Sequence, residues 1–270
     1  MKITPIAYKT NFSARHKNNV EKSPYSKNGE LVHTSHFFRY DNIYKVNQTI
    51  GNYLKRTCNS SPINIVSMGC SYGEEVYSLA MTMNYYGLNS KINGFDISKQ
   101  TIDEIHKGEY ELSGYESDYL FSDYEYFPTQ DAEDFRKGMR KEFEKNFDLI
   151  SESFWKFQKR KGAFTNCSFF RGDAVNLSDY FKENSQDVIS CCFVLYHLSD
   201  REKINTLKQI HSTLRPNGIL CVSPTEEDMF SLIRFCGFEH VDFKHPWMFK
   251  KSNNQQRGKS ENRLHQKHIF

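Results

Sequence analysis

The sequence predicts an α/β fold: a doubly wound, mostly parallel sheet with helices on both faces. Two observations predict it. Segments of strand character alternate with segments of helical periodicity from about residue 63 onward. In addition, the run 187–193 is almost entirely apolar, which is typical of a parallel strand that is buried on both faces.

The elements follow from local pattern. The predicted strands are short and mainly apolar, and they span 63–68, 91–97, 167–171, 187–193, 219–223 and 241–243. The predicted helices have apolar residues at steps of three or four, and they cover about 76–86, 98–106, 131–161, 201–214 and 227–236. Gly87 ends the first helix, and Ser98 can cap the second.

Composition divides the chain into a folded body and two polar ends. Residues 1–30 are polar and aperiodic, so we expect them to be disordered or loosely docked. Residues 251–270 have the same character and are predicted to form a basic flexible tail. Residues 31–250 are predicted to form one domain, with a helical insertion around 110–165.

Charge is distributed unevenly along the chain. Six Lys/Arg and two Glu lie in residues 1–30, and seven Lys/Arg and one Glu lie in 244–270, which leaves 23 basic and 30 acidic residues between them. Basic ends can steer a chain to an acidic partner, but the acidic body makes nucleic acid an unlikely ligand. Solvated ends are the simpler interpretation.

The sequence contains no membrane span and no secretory signal that we can identify, so we expect a cytoplasmic protein without membrane insertion. Seven cysteines, an odd number without CxxC spacing, argue against a disulfide framework and a zinc cluster. We expect reduced, mostly buried thiols and no bound metal.

The turn after the first strand is the first candidate ligand site. In a parallel sheet, ligands bind beyond the carboxyl ends of the strands. Gly69 and Gly73 allow a ligand to approach the backbone closely. The turn lacks a Walker lysine and the GxGxxG spacing, and its two glutamates would repel a pyrophosphate. An ordinary strand-to-helix turn is the alternative interpretation.

Two further acidic residues follow neighbouring strands. Asp96 ends the second strand, where a carboxylate can accept hydrogen bonds from ribose hydroxyls; a helix cap is its alternative role. Asp173 follows the strand 167–171, where an acceptor can meet an adenine amino group. Ribose and adenine contacts without a phosphate site indicate S-adenosyl-L-methionine (SAM).

Several motifs resemble the CheR-type chemotaxis protein-glutamate methyltransferases. They are Phe37-Phe38-Arg39, the block Gly69-Cys70-Ser71-Tyr72-Gly73-Glu74-Glu75-Val76-Tyr77-Ser78-Leu79-Ala80-Met81, Phe95-Asp96-Ile97, Gly108-Glu109-Tyr110, Asp173-Ala174, Asp187-Val188-Ile189 and Leu214-Arg215-Pro216-Asn217-Gly218-Ile219-Leu220. The resemblance covers about residues 31–225. It implies a seven-stranded, Rossmann-like class I SAM methyltransferase fold, with SAM as cofactor and S-adenosyl-L-homocysteine (SAH) as product.

The resemblance also implies a set of cofactor-binding residues. Arg39 would reach the methionine end of SAM, Glu75 its amino group, Asp96 the ribose, and Asp173 with Ala174 the adenine. The full set is Ser35, Arg39, Gly69, Cys70, Ser71, Gly73, Glu75, Asp96, Ile97, Asp173, Ala174, Cys192 and Phe193. Phe37 and Phe38 should anchor the segment while Arg39 points inward, since a guanidinium beside buried rings needs an anionic partner.

The chain departs from the family pattern in three places. Cys192-Phe193 stand where the family has Arg-Asn, His197 stands where it has Tyr, and only about 30 polar residues precede the first motif in place of a helical domain. Chemoreceptor glutamates are therefore a doubtful substrate. His197 is a candidate base or acceptor-orienting residue, with packing behind the cofactor as the alternative. Arg39 and His197 are the candidate catalytic residues.

We therefore predict a SAM-dependent methyltransferase that acts on a carboxylate oxygen of a protein glutamate or a similar acceptor. Carboxylates are ionised at pH 7, so their methylation needs no general base. Two alternatives stay open: a small-molecule O- or N-methyltransferase, and a SAM-binding interaction module without turnover. The acceptor, whether protein or small molecule, cannot be identified from the sequence.

Overall fold

The computed structural model describes residues 35–39, 41, 45–122, 129–224 and 226–252. Strands β1 to β10 in this part of the chain are Ile63–Met68, Ser90–Asp96, Glu109–Glu111, Phe147–Ser151, Lys156–Lys159, Cys167–Arg171, Gln186–Cys191, Leu214–Val222, Phe238–His240 and Met248–Lys251. Helices α1 to α8 are Val46–Thr57, Glu74–Tyr85, Lys99–Lys107, Gly114–Phe121, Gln130–Asn146, Leu177–Tyr180, Asp200–Thr213 and Phe230–Phe235. Short 3₁₀ helices span Ala174–Asn176, Leu195–His197 and Glu227–Met229.

Seven of these strands form one sheet in the order β6-β2-β1-β7-β8-β10-β9. The first five pair in parallel, and β10 runs antiparallel to both of its neighbours. The order along the chain reverses between β1 and β7, so a crevice opens there beyond the carboxyl ends of the strands. The predicted fold class, a mostly parallel seven-stranded sheet with helices, is confirmed.

Local pattern located most of the elements of this sheet. The strands β1 and β6 have the predicted bounds, and β7 is buried at every position, as the apolar residues of the run 187–193 indicated. Ser98 caps α3 by accepting a hydrogen bond from the Thr101 backbone N–H at 3.2 Å. Helix α1, by contrast, has no counterpart among the predicted elements.

The predicted long helix over 131–161 is wrong in its second half. Helix α5 ends at Asn146, and the chain then forms the hairpin of β4 and β5. The strand β5 pairs with β3, so the insertion around 110–165 carries a three-stranded antiparallel sheet as well as helices. The four-residue spacing of Phe143 and Phe147 fits a continuing helix, although Phe147 is the first residue of β4. The two rings pack 4.5 Å apart between centroids across the change from helix to strand, so the spacing of apolar residues does not reveal where the helix ends.

The end of the domain also differs from the prediction. Residues 241–243 are not a strand: the Asp242 carboxylate accepts the backbone N–H groups of Lys244 and His245, which makes a turn and leaves Phe243 98% exposed. The last strands are β9 and β10 instead. The predicted helix over 227–236 is a 3₁₀ turn followed by the shorter α8.

The boundary of the predicted tail at residue 251 is wrong by at least one residue. Lys251 pairs with Phe238 in the sheet, and its ammonium group donates to Asn184 Oδ1 and to the Leu214 carbonyl, both at 2.9 Å. The remaining tail residues, 253–270, and the N-terminal residues 1–30 lie outside the described residues. Among the described residues, no helix combines the length and apolarity needed to cross a bilayer.

Candidate active site

The turn between β1 and α2 depends on three residues in the left-handed region. The φ angles are 64° at Gly69, 48° at Ser71 and 89° at Gly73. A Cβ atom on Gly69 would lie 2.6 Å from Val194 Cγ2, so this position also needs glycine for close packing. The Cys70 N–H donates to the Phe95 carbonyl at 2.9 Å, which joins the turn to the end of β2.

Glu75 lies in the first turn of α2 and bridges two strands. Its Oε2 accepts from the Ser67 hydroxyl on β1 at 2.5 Å, and its Oε1 accepts from the Ser190 hydroxyl on β7 at 2.8 Å. The Ser190 hydroxyl is also 3.6 Å from Cys192 Sγ. Glu75 therefore lies at the point where the strand order reverses, with its carboxylate fixed from both sides.

The carboxylate of Asp96 is held at the carboxyl end of β2 by two backbone donors. The Ser71 N–H donates to Oδ2 and the Ser98 N–H donates to Oδ1, both at 3.0 Å. The hydroxyl of Ser98 caps α3, so Asp96 does not perform that role. The neighbouring Ile97 side chain is 48% exposed, an apolar face open to solvent at the same edge.

Asp173 lies at the end of β6, the strand next to β2. The preceding Gly172 donates its N–H to the Asp96 carbonyl at 2.9 Å, so the two strand ends are tied together. Asp173 Oδ1 accepts the Val175 N–H at 3.1 Å and caps the 3₁₀ helix that begins at Ala174. The structure thus places Asp173 and Ala174 at the same edge as Asp96.

The chain after β7 forms the opposite side of the crevice. Phe193 has a φ of 60°, an uncommon conformation for a bulky side chain. Burial raises the pKa of the Cys192 thiol well above its ordinary value, so this group is a neutral side chain rather than a thiolate. His197 ends the 3₁₀ helix that follows and is half-buried, with its ring edge-on to that of Tyr196.

The segment 35–39 reaches this loop from the other end of the chain. Phe37 and Phe38 are buried, as predicted, and the Arg39 guanidinium lies over the Phe193 ring, 5.0 Å from its centroid. The Phe38 N–H donates to Ser78 Oγ on α2 at 3.0 Å. The Ser35 side chain hydrogen-bonds Glu74 at the start of the same helix.

Sequence reasoning missed several polar groups that organise this edge. Ser67 and Ser190 are polar residues that lie between apolar neighbours in buried strands, and this signal could have identified them.

Glu226 is a buried acid that follows β8, and its Oε2 accepts the Ser223 N–H at 3.2 Å. Burial raises its pKa to about 7, against the backbone N–H groups of Phe193 and Tyr196, which lower it. Glu226 stands in the run Glu226-Glu227-Asp228, which reads as solvent-exposed, so no pattern singled it out.

The candidate residues therefore collect at one edge of the sheet. Arg39 touches Phe193, Gly69 packs on Val194, Ser71 binds Asp96, and Glu75 reaches Cys192 through Ser190. A catalytic role for Arg39 and His197 stays a prediction. All seven cysteines are free, and within the described ranges no three His, Cys, Asp or Glu side chains are grouped so as to hold a metal ion.

Two family descriptions match consecutive parts of the chain. Residues 33–150 match the CheR methyltransferase, SAM binding domain, and residues 146–218 match a methyltransferase domain. Together the two matches span residues 33–218 and indicate a SAM-dependent methyltransferase domain. Its first part is CheR-like, in agreement with the motifs at Phe37-Phe38-Arg39 and Gly69–Glu75.

A curated protein similar to this chain is the probable biofilm formation methyltransferase WspC of Pseudomonas aeruginosa. The two are 22% identical over 199 residues, which make up 73% of this chain and 41% of the relative. The chain thus spans less than half of the length of that relative.

Several solved structures resemble the chain at low identity. The citrinin polyketide synthase CMeT domain is 14% identical with a TM-score of 0.45, over 76% of this chain and 50% of that one. The [4+2]-cyclase SpnF is 15% identical with a TM-score of 0.42, over 78% and 64%. PKMT2 from Rickettsia typhi, in complex with AdoHcy, is 18% identical with a TM-score of 0.40, over 76% and 29%.

Proposed function

We propose that this protein binds SAM in the crevice beyond β1, β2, β6 and β7 and transfers its methyl group to a carboxylate oxygen. The observation that carries the proposal is the Asp96 carboxylate, which the N–H groups of Ser71 and Ser98 hold at the end of β2. Its remaining lone pairs suit the two hydroxyls of a ribose.

The other residues at this edge fit the rest of SAM. Ile97 offers an exposed apolar face for adenine, and Asp173 an acceptor for its amino group. Glu75 supplies negative charge near an ammonium, and Arg39 supplies positive charge for a carboxylate. Bound SAM would supply a methyl group on a positively charged sulfur, which is electrophilic.

A carboxylate acceptor suits the side chains that surround the crevice. It arrives ionised, so its methylation requires alignment and exclusion of water rather than a base. The CheR-like match over residues 33–150 supports this class of acceptor. Among the predicted cofactor-binding residues, Arg39 carries the positive charge that can pair with a carboxylate. Its partner is either the carboxylate of SAM or that of the acceptor.

Labelling a cell lysate with tritiated SAM and this protein tests the proposal. We expect transfer of label to an acceptor, and release of that label in mild base, because methyl esters of carboxylates hydrolyse there whereas methylated amines and ethers do not. Base-stable label would contradict carboxylate transfer and favour an O- or N-methyltransferase for other acceptors.

A second candidate function is a SAM-binding interaction module without turnover. It is favoured by Cys192 and Phe193, which stand where the CheR-type sequences carry Arg-Asn. SAH retained through gentle purification, together with no label transferred to any acceptor, would support this alternative over the enzyme.

A further inference from the structure

Glu116 is a buried acid in the first turn of α4 and lies outside the predicted cofactor set. Its side chain is 3% exposed, and both of its oxygens are used. Oε2 accepts the backbone N–H and the hydroxyl of Ser113, each at 2.6 Å, in a capping box for α4. This half of its bonding stabilises its own helix.

The other half reaches the segment that carries Arg39. Oε1 of Glu116 accepts the Phe37 backbone N–H at 2.6 Å, across 79 positions in sequence. His36 Nδ1 lies 3.7 Å from Oε2. Burial raises the pKa of Glu116, but the nearby His36 ring and the hydrogen bonds from Ser113 outweigh it and hold the pKa below its ordinary value. The acceptor for the Phe37 N–H is therefore a charged carboxylate, which makes the bond strong.

The rings of the same segment pack on the insertion. Phe37 lies edge-on to Tyr110 of β3 at 5.5 Å, to Phe143 of α5 at 5.2 Å and to Phe147 of β4 at 5.5 Å. Phe38 packs on Tyr119 of α4 at 5.5 Å. The rings bury apolar area without direction, whereas the Glu116 bond fixes the backbone two residues before Arg39.

We propose that Glu116 is a positioning residue for Arg39: by fixing the Phe37 backbone, it sets the guanidinium over Phe193 at the methionine end of the SAM crevice. The insertion thereby acts as the platform from which the entry segment meets the sheet. This inference rests on the proposed function, because it assigns Arg39 to bound SAM or SAH.

The test separates the two halves of the Glu116 carboxylate. Ser113→Ala removes the cap of α4 and leaves the Phe37 acceptor in place, so it is the matched control. Glu116→Ala removes both. Affinity for SAH is measured by calorimetry, and folding is checked by circular dichroism and thermal denaturation. If Glu116→Ala does not fold, Glu116→Gln replaces it, since one amide oxygen cannot serve both sets of donors.

We expect Ser113→Ala to lower the melting temperature while the SAH dissociation constant changes less than about twofold. Glu116→Ala should raise that constant about tenfold, and in the Arg39→Ala background it should add less than about twofold, because both changes remove one interaction. Equal constants for Glu116→Ala and Ser113→Ala, or effects of Glu116→Ala and Arg39→Ala that multiply, would overturn the inference. Absence of SAH binding by the unmodified protein would overturn the proposed function and this inference with it.

Discussion

At the scale of single residues, we expect the buried carboxyl group of Glu226 to make the free energy of unfolding depend on pH. Burial raises its pKa from 4.5 to about 7. Between these two pH values the carboxyl group therefore stays protonated in the folded protein and is ionised in the unfolded chain. The stability contributed by the neutral carboxyl group is fully present below about pH 4.5 and is lost as the pH rises through about 7. A shift of this size corresponds to about 3 kcal/mol in the free energy of unfolding.

Glu226→Gln removes that titration. Relative to the unmodified protein, the free energy of unfolding of the variant should increase between pH 5 and pH 8, by up to about 3 kcal/mol. Urea unfolding at each pH measures it, and Glu227→Gln, at the exposed neighbouring position, is the control. Parallel pH curves for Glu226→Gln and the unmodified protein would show that Glu226 is ionised in the fold.

A substitution at His197 is expected to affect methyl transfer without affecting SAM binding. The residue lies in the 3₁₀ helix that begins four residues after β7 ends, half-buried. His197→Phe should reduce methyl transfer and leave the SAM dissociation constant nearly unchanged, because a base or an acceptor-orienting ring acts on the acceptor rather than on the cofactor. Full transfer by the variant from pH 6 to pH 9 would return His197 to a packing role.

The residues of the site differ in how far sequence could predict them. Asp96 could be found, because a carboxylate at the end of a predicted strand is visible in the sequence and the ends of parallel strands meet at one edge. Its orientation by the Ser71 and Ser98 N–H groups could not, since it depends on the left-handed turn at Ser71. Glu226 was invisible because long-range folding, not its neighbours, buries it.

At the scale of elements, we expect the stability of the protein to depend on whether a truncated chain keeps the whole of β10. Ending the chain after Ser252 keeps β10 whole, whereas ending it after Lys250 removes the Lys251 bonds to Asn184 and Leu214 and the Ser252 N–H bond to Gly237. The shorter chain should lose about 1–3 kcal/mol of stability relative to the longer one. Equal melting temperatures for the two truncated proteins would contradict this account of β10.

Elements of the parallel sheet were predicted well because they carry their own signal. The strand β7 lies in the run 187–193, whose apolar residues Val188, Ile189, Cys191 and Phe193 indicate a buried strand, so local pattern suffices. The insertion was predicted badly because β5 exists through pairing with β3, about 47 positions earlier, and with β4. Pairing between distant strands cannot be predicted from the spacing of apolar residues within a single segment.

At the scale of the whole molecule, three parts of the chain meet at one edge of the sheet. The first turn of α2 and the end of β2 supply Glu75 and Asp96, the loop after β7 supplies Phe193, and the segment 35–39 supplies Arg39. The insertion anchors that segment through Phe37 and Phe38. The proposed function therefore requires that this edge of the sheet binds SAM.

Calorimetric titration of SAH into the unmodified protein and into Asp96→Ala tests that claim most directly. We predict one site in the unmodified protein and a loss of about 2–4 kcal/mol of binding free energy in Asp96→Ala, because charge-assisted hydrogen bonds to the ribose are removed. Thermal denaturation confirms that the variant is folded. No binding by the unmodified protein, or an unchanged dissociation constant in folded Asp96→Ala, would contradict the claim.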